Sequence, residues 1–476
     1  MKLTRLSALI ASASLITACG SDSDDGLSAE AKLLNTNADI AYAVYSDSVN
    51  TAKALQTALA TFKADPTSAN LLAAKTAWLV AREPYGQSEV YRFRNSPIDD
   101  DPTTAEEEDG PEGDLNAWPL GEALIDYVIA DGADFNDGQM TADGNSVGIN
   151  GGGSVDGDMV TDNIINTTSI TINADLFDGT NATNGDETDV ITGYHAIEFL
   201  LWGQDLNNDA EGTTGADRDT AVKTQVVADA AEPTNPLATG GQRPLTDFTT
   251  DDFAARRHQY LEVVAAKLVN DLESVQAQWA PNVEDNYRAE FVDASNTEAA
   301  QTKIAEILFA MGTLSYGELA GERIQVAYAA NSQEDEHSCF SDNTHRDIWL
   351  NAEGVSNNYF GDYAGYDSDL DGVDDVTTNA VNGFGFDDYL KAKGLSALNT
   401  LVEEALSATE TAYEAIDARA RDGEPFDVLI MDANRGETNP INLVVNALVA
   451  QSNGFQEIAD QLDLGDVVDE ESTGAF

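Results

Sequence analysis

The spacing of apolar residues limits the fold of this chain more than any other feature of its sequence. Leu, Ile, Val, Phe and Tyr recur at intervals of three and four over long stretches, which places them on one face of a helix. Alternation of apolar and polar residues, the pattern of a half-buried strand, is almost absent. The sequence therefore predicts an all-α fold, with helices over residues 29–62, 68–93, 120–130, 187–202, 250–279, 297–330, 386–422 and 438–462.

Long polar segments separate these helices. Loop inserts are predicted where Gly, Asp and Asn dominate, near residues 99–114, 131–160, 204–245 and 351–385. Pro281 ends the long helix before it and separates two groups of helices. We therefore predict two packed helical-bundle halves with long polar loop inserts, an N-terminal half over residues 29–280 and a C-terminal half over residues 281–476.

Acidic residues far outnumber basic ones. The chain has 24 Lys and Arg against 85 Asp and Glu, which gives a formal net charge of −61. Such a surface repels nucleic acid and anionic lipid and attracts cations. No nucleic-acid partner is therefore expected. Solubility in a salty medium would account for most of this charge without any ligand.

The N-terminus has the pattern of a bacterial export signal. A basic start precedes a short apolar run, residues 6–15, that is too short to span a bilayer. Ile16-Thr-Ala-Cys19 then matches a lipobox, so residues 1–18 are predicted to be a lipoprotein signal peptide. Cys19 would be lipidated and would begin a tether over residues 19–28. Gly20, in place of Asp, favours an outer-membrane anchor with the protein facing the periplasm; a plain secretory signal cleaved near Cys19 is the alternative.

The most apolar short run of the mature chain contains one histidine and one glutamate, in the segment Ile191-Thr-Gly-Tyr-His-Ala-Ile-Glu-Phe-Leu-Leu-Trp-Gly203. His195 and Glu198 are three residues apart, so a helix would place both side chains on one face. A neutral imidazole beside a carboxylate, held against apolar walls, is half of a transition-metal site. A core helix whose histidine is only hydrogen-bonded would show the same pattern, so both interpretations stay open.

A separate segment has the spacing of a calcium-binding loop. Around Gly372 at the sixth position, carboxylates fall at positions one, three, five and nine and are supplied by Asp367, Asp369, Asp371 and Asp375. Thr378 stands at position twelve, where an EF-hand has a bidentate Glu, so the loop is not an EF-hand. In such an acidic chain this spacing also arises by chance.

Several motifs together resemble the imelysin-like proteins, a bacterial periplasmic group also classified as peptidase family M75. Gly193-Tyr-His-Ala-Ile-Glu198 matches the GxHxxE signature of that family. Other motifs similar to the family are Ala81-Arg-Glu-Pro-Tyr85, Arg92-Phe-Arg-Asn-Ser-Pro97, Asn116-Ala-Trp-Pro-Leu120, Gly321-Glu-Arg323 and Ser332-Gln-Glu-Asp-Glu-His-Ser-Cys-Phe-Ser-Asp-Asn-Thr-His345. The last of these points to the branch called iron-regulated protein A. The resemblance covers roughly residues 30–460, apart from the inserts.

The resemblance implies an all-helical protein of two bundle-like halves that takes part in iron uptake, with the signature at a functional site near the interface of the halves. Tight binding of a divalent ion needs three or more ligands. We expect Glu89, on the predicted helix that Pro84 kinks, to join His195 and Glu198. This set suits iron, and also manganese or zinc. The residues expected to line the site, some of them alternative ligands, are Arg82, Glu83, Tyr85, Glu122, Asp126 and His337.

Three functions are compatible with these residues. The first is a protein that binds iron or an iron-bearing ligand during uptake, with an outer-membrane partner. The second is a zinc peptidase, although HExxH enzymes carry two histidines on one helical face, and here Phe199 occupies the place where an inverted motif needs the second one. The third is a non-catalytic surface interaction protein. His337 lies in a polar stretch that a loop held by its own hydrogen bonds would equally explain.

Overall fold

The computed structural model describes the chain over residues 26–104, 109–127, 163–177, 190–204, 240–241, 243–333, 335–431, 436 and 438–465, together with the backbone of four short strands between residues 139 and 159. The export signal and Cys19 lie outside the described residues, as does the insert at residues 205–239.

The fold is all-α, as predicted. The helices span Ala29–Ala64, Ser68–Gly86, Glu112–Leu115, Glu122–Ile125, Gly193–Trp202, Ala254–Trp279, Tyr287–Phe291, Thr297–Thr313, Ala327–Ala330, Thr344–Phe360, Phe386–Ala392, Ser396–Arg421, Phe426–Ile430 and Pro440–Leu462. The described strands form three short antiparallel pairs, Gln139–Ala142 with Asn145–Asn150, Ser154–Val155 with Asp158–Met159, and Asp362–Tyr363 with Val381–Asn382. Within the described part of the chain, every helix is too short or too polar to cross a membrane.

The long helices pack in two groups. Helix Ala29–Ala64 packs on Ser68–Gly86 and on Ala254–Trp279, whereas Ser396–Arg421 packs on Pro440–Leu462. Helix Thr344–Phe360 contacts members of both groups. One cluster of buried apolar residues extends through both halves of the chain. The division at residue 281 stays a prediction.

The helix that was predicted to reach residue 93 ends earlier, at Gly86. Pro84 lies in its last turn and removes one backbone donor, and a 3₁₀ turn at Glu89–Tyr91 follows. Two glycines let this region pack closely on helix Thr344–Phe360. A Cβ atom on Gly86 would lie 2.7 Å from Leu350 Cβ, and one on Gly354 would lie 2.4 Å from the Gln87 carbonyl oxygen.

The prediction of a loop from residue 351 was wrong, because residues Thr344–Phe360 form a helix. Its second half contains Gly354, Ser356, Asn357 and Asn358, whose low helix propensity indicates a loop. The helix forms because Ile348, Ala352, Val355 and Tyr359 are spaced as one helical face and are all buried. It buries polar side chains as well. Its fully buried positions include Asp347 and Asn351. Both accept hydrogen bonds from arginines on other elements, which satisfies them in the interior.

The helix predicted over residues 297–330 is interrupted by a π-helical segment, Leu314–Val326, called the π segment below. π turns are rare, and they are frequent at functional sites. The π segment carries Glu318, Glu322 and Arg323, which reappear in the site described next.

Candidate functional site

The helix Gly193–Trp202, called the signature helix below, is buried along its whole length. Gly193 begins it with φ +79°. A Cβ atom on Gly193 would lie 2.4 Å from the carbonyl oxygen of Leu115. Only glycine tolerates both the positive φ and this close approach. The first glycine of the signature therefore allows the helix to begin directly against the 112–115 segment.

His195 and Glu198 lie on one face of the signature helix, as predicted. His195 Nδ1 is 2.8 Å from Glu198 Oε2, and both side chains are fully buried. The other carboxylate oxygen, Oε1, accepts hydrogen bonds from the Ser341 backbone N at 2.9 Å and from its Oγ at 2.6 Å. His195 Nε2 has no hydrogen-bond partner among the described residues. Glu198 thus holds one side of the imidazole, and the other nitrogen remains available.

Two rings stand edge-on to the imidazole of His195. The ring centroid of His337 is 4.9 Å away and that of Trp118 is 5.0 Å away. The polar stretch that contains His337 therefore brings a second imidazole to the signature helix. Sequence reasoning placed His337 at the site but missed Trp118 and Ser341, although both lie inside the motifs that carry the family resemblance.

Asn116 links this imidazole pair to the predicted third ligand. Its amide Nδ2 is 3.4 Å from His337 Nε2 and donates to Glu89 Oε1 at 3.3 Å. Its Oδ1 accepts a hydrogen bond from Arg82 Nη1 at 2.6 Å. The second carboxylate oxygen of Glu89 is 2.7 Å from Arg323 Nη2. Glu89 therefore lies in the same polar network as the imidazoles, but its oxygens are already bound to other groups.

The electrostatic surroundings keep both imidazoles neutral. Burial lowers the pKa of His195 well below its usual value, and the charge of Arg82 lowers it further. Burial likewise lowers the pKa of His337 well below its usual value. Burial raises the pKa of Glu198 well above its usual value, although hydrogen bonds from Ser341 act in the opposite direction. Burial therefore disfavours the charged form of both His195 and Glu198.

Glu89 differs from Glu198 because cations surround it. Burial alone would raise the pKa of Glu89, but Arg323 and Arg92 outweigh that effect and the pKa is lowered. Arg82 is fully buried and donates from Nε to Asp347 Oδ1 at 3.0 Å. Asp347 also accepts a hydrogen bond from the hydroxyl of Ser338. Two buried ion pairs, Glu89 with Arg323 and Arg82 with Asp347, therefore lie in the polar network around the imidazoles.

The other residues expected at the site have partners of their own. Glu83 is bound by Arg346, with Nε and Oε1 3.0 Å apart. Asp126 lies between Arg243 Nη1 at 2.6 Å and Arg257 Nε at 2.7 Å. Among the described residues, no hydrogen bond or ion pair connects these two carboxylates to His195.

Tyr85 and Glu122 are buried near the ends of their helices. The Tyr85 ring packs against Tyr194 of the signature helix with centroids 4.8 Å apart, and the Arg82 guanidinium lies 5.3 Å from the Tyr85 centroid. Tyr85 thus contacts both the signature helix and Arg82. Glu122 begins the short helix Glu122–Ile125.

A cavity of about 410 Å³ opens beside the imidazoles. The π segment forms one wall of it and the stretch from Asn116 to Pro119 forms another. His337 and Trp118 line the cavity and also contact His195. His195 therefore lies directly behind two side chains that line the cavity.

The insert loop at residues 367–375 has the geometry of a turn built around Asp367. Its Oδ1 accepts hydrogen bonds from the backbone N of Asp369 at 3.1 Å and of Leu370 at 2.7 Å. Gly372 has φ +93°, a conformation that favours glycine at this position. Asp375 is turned toward Ser368, whose backbone N and Oγ donate to it at 2.8 and 3.0 Å.

Carboxylate oxygens of three aspartates converge at this loop. Among the described residues, a group whose ligand atoms all lie within 4.8 Å of one another is formed by Asp367, Asp369 and Asp371. Asp371 raises the pKa of Asp369, as expected for neighbouring like charges. The predicted set of His195, Glu198 and Glu89 does not form such a group, and its role in binding a metal stays a prediction.

Comparison with known proteins connects this arrangement to one family. A family model described as Imelysin, Peptidase_M75, matches residues 41–454. No curated protein matches the chain. A crystal structure of a protein provisionally named an iron-regulated protein A precursor, from Parabacteroides distasonis, is similar with a TM-score of 0.57 and 17% sequence identity. That similarity covers 91% of this chain and 95% of the other, and it supports the same fold.

Proposed function

Because the chain belongs to the imelysin family, we propose that it binds iron or an iron-bearing ligand during iron uptake. The name of the similar Parabacteroides distasonis protein, an iron-regulated protein A precursor, is in keeping with this proposal. The observation that carries it is the buried Nε2 of His195, which has no hydrogen-bond partner among the described residues. Buried polar atoms are normally paired, so an unpaired one next to a second imidazole is a candidate ligand atom.

The residues of the site divide into two roles. His195 would bind the metal through Nε2, with the His337 imidazole beside it. Glu198 would orient His195 through Nδ1, since a carboxylate commonly fixes the ring of a metal-bound histidine in this way. This role differs from the predicted one, in which Glu198 is itself a ligand. Glu89 remains the candidate third ligand, and it would have to exchange Asn116 or Arg323 for the metal.

The chemistry of these groups suits a transition metal. Imidazole nitrogen binds iron, zinc and other first-row metals, whereas calcium and magnesium prefer oxygen. If Glu198 orients the ring as a carboxylate, the imidazole proton is on Nδ1 and is donated to Glu198 Oε2, which leaves the lone pair of Nε2 for the metal ion.

The test is the iron content of the purified chain and of matched variants. Protein purified without chelator is loaded with Fe²⁺ under anaerobic conditions, then washed with excess Ca²⁺ and salt to clear weak carboxylate sites. We expect about one iron per wild-type chain, little in His195→Ala, and the wild-type amount in His258→Gln, a buried histidine on another helix. Equal iron in wild type and His195→Ala would contradict the proposal.

The same samples test the peptidase hypothesis. Incubation of wild type and His195→Ala with unstructured peptides, with and without Zn²⁺, would reveal metal-dependent cleavage. Cleavage lost in the variant would support a metallopeptidase instead of a binding protein.

We also propose that the protein is exported and anchored through Cys19, facing the periplasm. The support is the sequence pattern of residues 1–19. Mass spectrometry of the mature N-terminus should find an acylated Cys19, and Cys19→Ser should release the protein from the membrane fraction. An unmodified N-terminus in wild type would overturn the anchor.

A second proposal concerns calcium at the insert loop. Asp367, Asp369 and Asp371 converge there, and Gly372 adopts the positive φ that such loops need. The loop already contacts the helices, because Arg421 Nη1 donates a hydrogen bond to the Leu370 carbonyl at 2.8 Å. Bound calcium would further stabilise the position of the insert against the helices. Isothermal titration of wild type and Asp371→Asn tests it, and equal heats would remove the proposal.

A further inference from the structure

More acidic than basic side chains line the cavity beside His337. Its lining includes the acidic residues Glu112, Glu318, Glu322 and Asp335 and the basic residues Arg92 and Arg323. Lysine is absent from the described lining. A cavity with more carboxylates than cations favours a positively charged ligand.

Both arginines are already neutralised by carboxylates. Arg92 Nη1 lies 3.0 Å from Glu112 Oε1. Arg323 Nη2 lies 2.7 Å from Glu89 Oε2 and 3.3 Å from Glu318 Oε2. An anion entering the cavity would therefore have to break an existing ion pair to reach a guanidinium. The arginines shape the wall instead of attracting an anionic chelate.

Two carboxylates remain outside these pairs. Glu322, on the π segment, and Asp335, two residues before His337, are both exposed and line the cavity. Neither makes an ion pair with any residue that the structure describes. Their exposure places them at the solvent side of the cavity, whereas His337 is buried at its inner side.

The cavity is also too large for a bare metal ion. About 410 Å³ holds an ion together with several of its water molecules, whose share of liquid volume is about 30 Å³ each. The inner wall offers imidazole nitrogen from His337 and, behind it, from His195. The order of groups along the cavity is therefore exposed carboxylates at the opening and buried imidazoles at the inner end.

We propose that this cavity takes up iron as a hydrated divalent cation, which Glu322 and Asp335 attract at the opening and the imidazoles of His337 and His195 bind at the inner end. This inference rests on the proposed function and deepens it by assigning the ligand class: aqueous Fe²⁺ and not an anionic ferric chelate. It also assigns a role to two residues outside the predicted site. As the ion exchanges water for imidazole nitrogen, no redox step is required.

The test compares the double variant Glu322→Gln/Asp335→Asn with a control of equal charge change. Glu284→Gln/Asp285→Asn removes the same two charges from an exposed loop that does not line the cavity. Binding of Fe²⁺ under anaerobic conditions is followed by stopped flow and by equilibrium dialysis, at low and high ionic strength. Ferric citrate serves as the anionic probe.

We expect the opening variant to slow Fe²⁺ association and raise its Kd by roughly three- to tenfold at low ionic strength, because two attracting charges are lost. The effect should shrink at high salt, which screens exposed charges. The control should match wild type. Ferric citrate should bind wild type more weakly than Fe²⁺, and the opening variant should not bind it less.

Three results separate the inference from the proposed function. If wild type binds Fe²⁺ but the opening and control variants behave alike, the steering role is wrong while iron binding stands. If ferric citrate binds more tightly than Fe²⁺, the assigned ligand class is wrong. If wild type binds neither form, the proposed function itself fails.

Discussion

Two regions of this molecule offer groups to cations, and they are built in opposite ways. At the signature helix, two imidazoles are buried, and the buried carboxylates of Glu198 and Glu89 are each held by a hydrogen bond or an ion pair. At the insert loop, Asp369 and Asp371 are exposed and only Asp367 is buried, and all the candidate ligand atoms are carboxylate oxygens.

The difference separates two classes of metal. Nitrogen donors in a buried site suit transition metals such as iron, whereas flexible oxygen donors suit calcium. The two sites also differ in the interactions that stabilise them. The buried site depends on ion pairs such as that of Arg82 with Asp347, which must stay intact, while the loop depends mainly on local backbone hydrogen bonds. The first three predictions below should each distinguish one region from the other, and the fourth concerns the place where they meet.

The largest expected effect is on folding. Arg82→Met removes the counter-ion of the buried Asp347 and leaves it only hydrogen bonds from neutral groups, so we expect the free energy of unfolding to fall by about 3–5 kcal/mol. The matched change at the loop, Asp369→Asn, concerns an exposed side chain and should stay within about 0.5 kcal/mol of wild type. Urea denaturation measures both. Similar losses in the two variants would remove the contrast between the regions.

The second effect is on iron affinity. Glu198→Gln retains the size of the side chain but weakens its hold on Nδ1 of His195, and loss of such an orienting group typically costs about ten- to a hundredfold in metal affinity. Calcium binding should not change. Competition with a coloured Fe²⁺ chelator measures the affinity. Unchanged iron affinity would mean that the carboxylate does not position the imidazole.

The third expected effect is on calcium affinity at the insert loop. Asp371→Asn removes one charged ligand from the loop, and we expect calcium affinity to fall roughly tenfold while iron binding stays at the wild-type level. Calorimetric titration with each metal gives both values. A loss of iron binding in this variant would show that the loop and not the signature helix holds the iron.

The smallest effect lies where the two regions meet, at Glu353 on helix Thr344–Phe360. Burial, together with Asp374 of the insert, raises the pKa of Glu353 to about 8. Its contribution to stability is therefore complete below the unfolded-state pKa of about 4.3 and is lost as the pH rises through about 8. The unscreened loss relative to Glu353→Gln would be about 4 kcal/mol between pH 5 and pH 8. Because Glu353 is partly exposed, solvent screening should reduce it to about 1 kcal/mol. Parallel stability profiles of the two proteins would contradict the raised pKa.

Local features of the site were predictable from sequence. The three-residue spacing of His195 and Glu198 was enough to place both on one face. The start of their helix was predicted too early, at residue 187, whereas the helix begins at Gly193. Most helix positions followed apolar periodicity. The prediction failed at Thr344–Phe360, where Gly354, Asn357 and Asn358 indicate a loop although Ile348, Val355 and Tyr359 form a buried helical face.

Long-range features of the site were not predictable from pattern alone. Asn116 joins Arg82, Glu89 and His337, which come from distant parts of the chain, and nothing in its local sequence indicates those contacts. The π segment Leu314–Val326 was likewise not predicted, because the apolar spacing indicated one continuous helix over residues 297–330. Trp118 and Ser341 lie within the family motifs, but the motifs alone do not indicate that these residues contact His195 and Glu198.

The most direct measurement is the anomalous scattering of crystals soaked in Fe²⁺ with excess Ca²⁺, recorded at the iron absorption edge. We predict an iron peak at about 2 Å from His195 Nε2, the usual distance for a metal bound by imidazole. Iron found only at Asp367, Asp369 and Asp371, or no ordered iron at all, would contradict the assignment of the buried imidazole as the iron ligand.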